Sequence, residues 1–235
     1  MVSQMLHIPS GVVSVMGSGG KTTLLSVLAR ELSDPVILCT TTHMFPFPQY
    51  SLLPGDDAGE IQAALARHRV VCLGWPNGDG KLTAPALPFA QLRGLAPWVL
   101  VEADGSKRLP LKAHAPHEPV IPPESGQTIL VVGASGFGIP IHHTVHRPER
   151  FCALTGAAPE DRVTPELAAQ AAVREGLAGQ VFLNQVESQA DWIQAERFAQ
   201  ALAETGMEVW AGSLRQGICR RLTSSKASRA DRQQK

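Results

Sequence analysis

Short apolar runs alternate with amphipathic stretches along most of the chain, and this alternation predicts strands and helices taking turns. Val12, Val13, Val15 and Met16 make the first run, and the helical spacing Leu24, Leu25, Leu28, Leu32 follows after a glycine-rich turn. Pro35 stops that helix, and Val36-Ile37-Leu38-Cys39 begins the next strand at once. Strand, helix and strand in this order imply parallel strands joined by a right-handed crossover. A helix from Ala58 to Arg69, with Ile61, Ala64 and Leu65 on one face, leads into the strand Val70-Val71-Cys72-Leu73. Gly74 to Lys81 reads as a hairpin-like turn with local antiparallel structure, and a short amphipathic segment covers Phe89 to Leu95.

The second half continues the pattern. Trp98 to Val101 and Thr128 to Val132 read as buried strands. Thr164-Pro165-Glu166 is a helix start, with threonine as cap and proline at the first helical position; Gly176 ends the helix. The strand Val181 to Leu183, a helix from Trp192 to Ala203 and a last strand from Glu208 to Gly212 complete the series. The elements together predict an α/β fold, P-loop NTPase-like, with a mostly parallel sheet flanked by helices on both faces.

Composition bounds the organisation. With 235 residues the chain suffices for one sizeable α/β domain, read as residues 1–219, followed by a basic tail over 220–235. The tail holds six Lys/Arg against Asp231 alone and reads as disordered, or as a docking segment for an acidic partner. Charges balance at 21 basic and 21 acidic residues, so the total points neither to nucleic acid nor to an anionic membrane. Cys39, Cys72, Cys152 and Cys219 form no C-x-x-C pair, and no apolar run approaches the length of a membrane span, so a cytoplasmic protein is expected.

The chemistry concentrates after the first strand, in Gly17-Ser18-Gly19-Gly20-Lys21-Thr22-Thr23. A strand feeding a glycine turn and a helix presents backbone N–H groups and a helix dipole to an anion, here a phosphate. The glycines permit close backbone approach, Lys21 reaches β- and γ-phosphate oxygens, and the Thr22 hydroxyl suits Mg²⁺; Thr23 adds a second hydroxyl. Val15 stands where the full P-loop pattern has its first glycine, so the shorter form G-x-x-G-K-T-T remains, which resembles the loop of Mur-ligase and folylpolyglutamate-synthetase ATP enzymes. Thr40-Thr41-Thr42-His43-Met44 emerges at the carboxyl end of the second strand, where open α/β sheets bind ligands; its hydroxyls suit Mg²⁺, a γ-phosphate or a water.

Glu102 and Asp104 end a buried strand in the manner of a Walker B element, two residues apart and so on one side, and both are candidates for Mg²⁺. Lys107, Arg108 and Lys112 follow as cations for a triphosphate, for an anionic second substrate, or for solvent. His114, His117 and Glu118 have a spacing seen in metal sites, but the surrounding prolines argue against a helix there. Gly133-Ala134-Ser135-Gly136-Phe137-Gly138 approximates a dinucleotide fingerprint, and Pro140 argues against the helix that fingerprint needs. Arg147 is a candidate anion contact. Asn184-Gln185-Val186-Glu187 occupies the position of the N-K-x-D element of GTPases; Gln185 and Glu187 depart from it, and a role at the start of the next helix is the alternative.

With GSGGKTT, TTTHM, EADGSKRLPLKAHAPHEPVIP and VHRPERFCALTG in view, the sequence resembles the YqeC family from Gly11 to about Gly217. That family is described as a selenium-dependent molybdenum hydroxylase accessory, or selenium cofactor biosynthesis, protein. The resemblance implies an ATP- or GTP-binding protein that helps mature a molybdenum hydroxylase, with that enzyme or its cofactor-insertion machinery as partner.

The expected activity is Mg²⁺-dependent nucleoside-triphosphate hydrolysis. Gly17, Ser18, Gly19, Gly20, Lys21, Thr22 and Thr23 serve the phosphates in this scheme, Thr22 with Glu102 or Asp104 holds Mg²⁺, and Thr40, Thr41 and Thr42 sense the γ-phosphate. Two alternatives stay open. One is a kinase, nucleotidyltransferase or ligase acting on a small cofactor precursor; the other is a non-catalytic module switched by nucleotide.

Overall fold

A computed structural model describes residues 1–222. The chain forms two compact units interleaved along the sequence, the first from Met1–Met16, Lys21–Gly105 and His117–Thr128, the second from Gly17–Gly20, Ser106–Pro116 and the residues from Ile129 onward. Both are α/β and mostly parallel.

In the first unit the strand Trp98–Glu102 pairs in parallel with Gly11–Gly17 on one side and with Val36–Thr40 on the other. Val36–Thr40 in turn pairs with Val70–Leu73, and that strand with Ser51–Leu53, again in parallel. The central strands are buried throughout, which is why they read as continuous apolar runs rather than alternating ones. Val12, Val99, Val101, Ile37, Cys39, Val71 and Leu73 pack with Ile61, Ala64, Leu65 and Leu92 from the helices Ala58–Arg67 and Phe89–Leu95. The intervening strand positions face the opposite way, toward the side covered by the helix Lys21–Glu31 through Leu24, Leu25 and Leu28. Asp57 caps the helix Ala58–Arg67 by accepting from the Glu60 N–H at 2.8 Å.

Four short strands of this unit escape the periodicity. Ser51–Leu53 is too short to show alternation, and His43–Met44, Leu82–Thr83 and Trp75–Pro76 form a small antiparallel sheet in that order. The hairpin-like turn expected from Gly74 to Lys81 is the part of this sheet that local sequence signals.

In the second unit the strand Ser125–Gly133, from Ile129 on, pairs in parallel with Gln180–Asn184, which pairs in parallel with Glu208–Ser213. Ile218–Leu222 closes that edge in antiparallel register. Arg220, Arg221 and Leu222, expected to begin the tail, therefore belong to a strand; pairing with Glu208–Ser213 supplies the order that their polar composition conceals. The rest of the expected tail, 223–235, lies outside the described residues. The helix Pro165–Glu175 begins and ends as its sequence predicts, with Thr164 accepting from the Leu167 N–H and Gly176 left-handed at φ 62°. The following helix starts earlier than expected, at Gln189, because Ser188 and Asp191 form a reciprocal capping box. Among the described residues no helix is long and apolar enough to cross a membrane.

Candidate functional site

The carboxyl edge of the first unit brings together four of the side chains expected to act together. Because Val99 and Val101 face the apolar cluster, Glu102 points the other way, toward the start of the helix Lys21–Glu31. There the Thr22 hydroxyl donates to Glu102 Oε2 at 3.1 Å. The Lys21 ammonium lies 3.1 Å from Asp104 Oδ1 and 3.9 Å from Glu102 Oε1. Lys21 is 3% exposed and Asp104 fully buried, so the Lys21 cation sits between two carboxylates away from water. The two carboxylates would attract a divalent cation and oppose an unaccompanied polyphosphate.

The three threonines after the second strand differ in what they do. Thr40 is level with Glu102 across the strand pair and donates its hydroxyl to the Glu102 carbonyl at 2.7 Å. The Thr41 hydroxyl donates to the Val120 carbonyl at 2.6 Å, and its N–H donates to the Glu102 carbonyl at 3.2 Å. Those two side chains are committed to the backbone. Thr42 Oγ1 is shielded from solvent and has no hydrogen-bond partner, while the Thr42 N–H donates to Thr40 Oγ1 at 3.0 Å. Val120 had no mark in the sequence; its part depends on a loop folding back onto the strand ends, with its N–H on the Ala103 carbonyl at 3.0 Å.

The glycine turn itself packs within the second unit. Ser18 donates its N–H to the Val131 carbonyl at 2.8 Å and its hydroxyl to the Leu109 carbonyl. Ser18 thus anchors the turn, and its N–H is turned away from any anion. Gly19 and Gly20 have φ of 82° and 142°, and a Cβ there would lie 2.4 Å from Gly133 Cα and 2.2 Å from Asn184 Nδ2. Only glycine fits either position, for reasons of both dihedral and space. Thr23 sits half-buried in the first turn of the helix that follows.

Asn184 backs this turn. Its Nδ2 donates to the Gly19 carbonyl at 2.8 Å and its Oδ1 accepts from the Leu214 N–H at 3.1 Å, in a residue 4% exposed. Both ends of the amide are therefore held by backbone. The Asn184 amide thus holds the glycine turn, and the cap of the next helix is Ser188. Gly133, at the start of the segment that approximates a dinucleotide fingerprint, is the other wall, its N–H on the Pro110 carbonyl at 2.9 Å. A 3-10 turn over Ala134–Gly136 follows in place of a long helix. Glycine at 133 and proline at 110 were visible in the sequence, but nothing local tied them to the glycine turn.

The remaining candidates belong to the second unit. Lys107 and Arg108 are exposed residues in left-handed conformation, φ 47° and 61°. Arg147, also left-handed, precedes the helix Pro148–Thr155. His114 is buried, its Nδ1 2.7 Å from Glu175 Oε2 while its N–H donates to Glu175 Oε1 at 2.6 Å. That pairing, absent from the local pattern of His114, His117 and Glu118, makes His114 part of the packing between its loop and the helix Pro165–Glu175. Among the described residues no three His, Cys, Asp or Glu side chains are grouped as a metal cage.

A glycine turn between strand and helix, followed by a lysine held by two strand-end carboxylates, defines the class as an α/β protein with a P-loop-like turn. The family model described as "YqeC protein" matches residues 13–149. An Escherichia coli (strain K12) protein described as "Uncharacterized protein YqeC" is 32% identical over 235 residues, covering 91% of this chain and 92% of its own. The chain belongs to the YqeC family. No solved structure matches it.

Proposed function

We propose that this protein is a Mg²⁺-dependent nucleoside-triphosphatase. The observation that carries the reading is Lys21 buried between Glu102 and Asp104, with Thr22 on Glu102. The donor set fits Mg²⁺: a hydroxyl and a carboxylate are hard oxygen ligands, and Mg²⁺ completes its octahedron with water and phosphate oxygens rather than with a full protein cage. Thr22 and Glu102 would hold the ion, which would supply positive charge to neutralise a phosphate group. Asp104 orients Lys21, whose ammonium turns from the carboxylates to the β- and γ-phosphates as nucleotide enters. The glycine turn cradles the phosphates with its backbone, and Asn184 keeps the turn in shape. Thr42 Oγ1, shielded and without a partner, is the hydroxyl best suited to meet the γ-phosphate or the attacking water. The family resemblance supports a role for this cycle in maturing a selenium-dependent molybdenum hydroxylase.

Titration calorimetry with ATP and GTP, each with and without Mg²⁺, tests the reading. Binding of at least one nucleotide that strengthens with Mg²⁺ is expected, with NDP and phosphate as the products of turnover. No binding of either nucleotide in Mg²⁺ would sink the proposal. A phosphorylated or nucleotidylated small molecule among the products would replace hydrolysis by group transfer.

A further inference from the structure

Thr40 is fully buried, and its hydroxyl is engaged both as donor and as acceptor. It donates to the Glu102 carbonyl at 2.7 Å and accepts from the Thr42 N–H at 3.0 Å. The first bond crosses between the strands Val36–Thr40 and Trp98–Glu102, whose last residues are level with one another. The second closes a tight turn within Thr40-Thr41-Thr42, the side-chain oxygen standing in for a backbone carbonyl. One oxygen atom therefore holds two backbones. One belongs to Glu102, whose carboxylate meets Thr22; the other belongs to Thr42, whose Oγ1 is shielded and without a partner.

The strand exit between Glu102 and Asp104 is held from both sides. The Glu102 carbonyl also accepts from the Thr41 N–H at 3.2 Å, so both of its lone pairs are used. Ala103 donates its N–H to the Val15 carbonyl at 2.9 Å and accepts from the Val120 N–H at 3.0 Å. Those bonds run between backbone groups, and the Thr40 hydroxyl adds a side-chain bond that substitution can remove. No water reaches a residue with 0% exposure, so a lost hydroxyl leaves the Thr42 N–H without its acceptor.

We propose that Thr40 is a positioning residue: its hydroxyl fixes the spacing between Glu102 and Thr42, so that the cation and the γ-phosphate are gripped together. The role rests on the nucleoside-triphosphatase reading and adds a coupling to it. A metal-binding carboxylate and a phosphate-binding hydroxyl must each be placed to within about 0.5 Å. Thr40 itself touches neither ion nor nucleotide and acts through its two neighbours. Without its hydroxyl, the tightening of nucleotide by Mg²⁺ and the preference for triphosphate over diphosphate are lost together. A hydroxyl that served only the fold would lower the melting temperature and leave both ratios alone.

Thr40→Val keeps the side-chain shape without the hydroxyl, Thr40→Ala is a second hydroxyl-free variant, and Thr40→Ser keeps the hydroxyl. Calorimetry, at a temperature where circular dichroism shows each protein folded, measures the di- and triphosphates of adenosine and guanosine in Mg²⁺ and in EDTA. Wild type is expected to bind a triphosphate more tightly than its diphosphate, and more tightly in Mg²⁺ than in EDTA. In the hydroxyl-free variants both ratios should fall toward one, a loss of about tenfold or more, as for other residues that orient a metal ligand. Affinity in EDTA should stay as in wild type, and Thr40→Ser should restore both ratios. Unchanged ratios, a fall in only one of them, an equal loss of affinity in EDTA, or no rescue by Thr40→Ser overturns the positioning role while the nucleoside-triphosphatase reading stands. A wild type that binds no nucleotide, or binds it without regard to Mg²⁺, overturns that reading and this role with it.

Discussion

Replacing Lys21 by alanine isolates the charge arrangement at the carboxyl edge of the first unit. The ammonium is 3% exposed and lies 3.1 Å from Asp104 Oδ1 and 3.9 Å from Glu102 Oε1. At an effective dielectric constant of about 20, such separations correspond to attractions of about 5 and about 4 kcal/mol before desolvation is subtracted. Desolvation of three buried charges removes much of this. What survives on truncation is the cost of leaving the partners buried and uncompensated, about 3–5 kcal/mol. For a chain of this size each kcal/mol lowers the melting temperature by about 2–4 °C, so Lys21→Ala is expected to melt on the order of 10 °C below wild type.

Two further measurements tie that loss to charge rather than to packing. A divalent cation can replace the missing ammonium between the carboxylates, so Mg²⁺ raises the melting temperature of Lys21→Ala more than that of wild type. The double substitution Lys21→Met with Asp104→Asn removes one charge of each sign, and it regains part of the stability without regaining nucleotide binding. Melting curves followed by circular dichroism, with and without Mg²⁺, read all three proteins. A Lys21→Ala protein that melts with wild type, or a double variant no more stable than the single one, refutes the argument.

Other expectations follow from single contacts. Asn184→Asp puts a carboxylate against the Gly19 carbonyl, so calorimetry should find nucleotide affinity reduced at least about tenfold, a loss of about 1.4 kcal/mol; unchanged affinity would show that the turn holds itself. Gly20→Ala would place a methyl 2.2 Å from Asn184 Nδ2, and its nucleotide affinity should fall with it, while Gly94→Ala, whose Cβ would meet nothing within 4 Å, should leave affinity unchanged. Burial pushes the Asp191 carboxyl up, but the N–H groups of Ser188 and Glu187 and the Ser188 hydroxyl outweigh it and hold it below the ordinary range. A depressed carboxylate contributes stability that is present above its unfolded pKa and lost as pH falls through the folded value. The stability difference between wild type and Asp191→Asn should therefore shrink on acidification; a difference independent of pH contradicts the capping account.

Much of the fold was legible because its signals are local. A buried parallel strand must be apolar along its length, so Val36–Thr40, Val70–Leu73 and Trp98–Glu102 were visible as runs. Thr164-Pro165 and Gly176 marked one helix because caps are chosen by the dihedrals of single residues. Short or edge elements were not legible. Ser51–Leu53, His43–Met44 and Ile218–Leu222 owe their order to a neighbouring strand, and a few residues carry too little periodicity to announce it.

The candidate site divides the same way. Sequence alone determined that Gly17 to Thr23 forms a strand-to-helix turn suited to phosphate, and that Glu102 and Asp104 stand at a strand end on one side, because two-residue periodicity and glycine dihedrals are properties of the local chain. Only the tertiary structure decided which carboxylate meets which partner: Glu102 takes Thr22, and Asp104 takes Lys21. It also decided that the Ser18 hydroxyl is held by Leu109 and the Asn184 amide by Gly19, and that Thr41 donates to Val120 while Thr42 Oγ1 is left without a partner. Asn184 and Gly19 are 165 residues apart, and a hydrogen bond between them exists only once distant segments have been brought together. Residue type and spacing state what a side chain can do; which of those capacities is already used by the backbone is settled by packing.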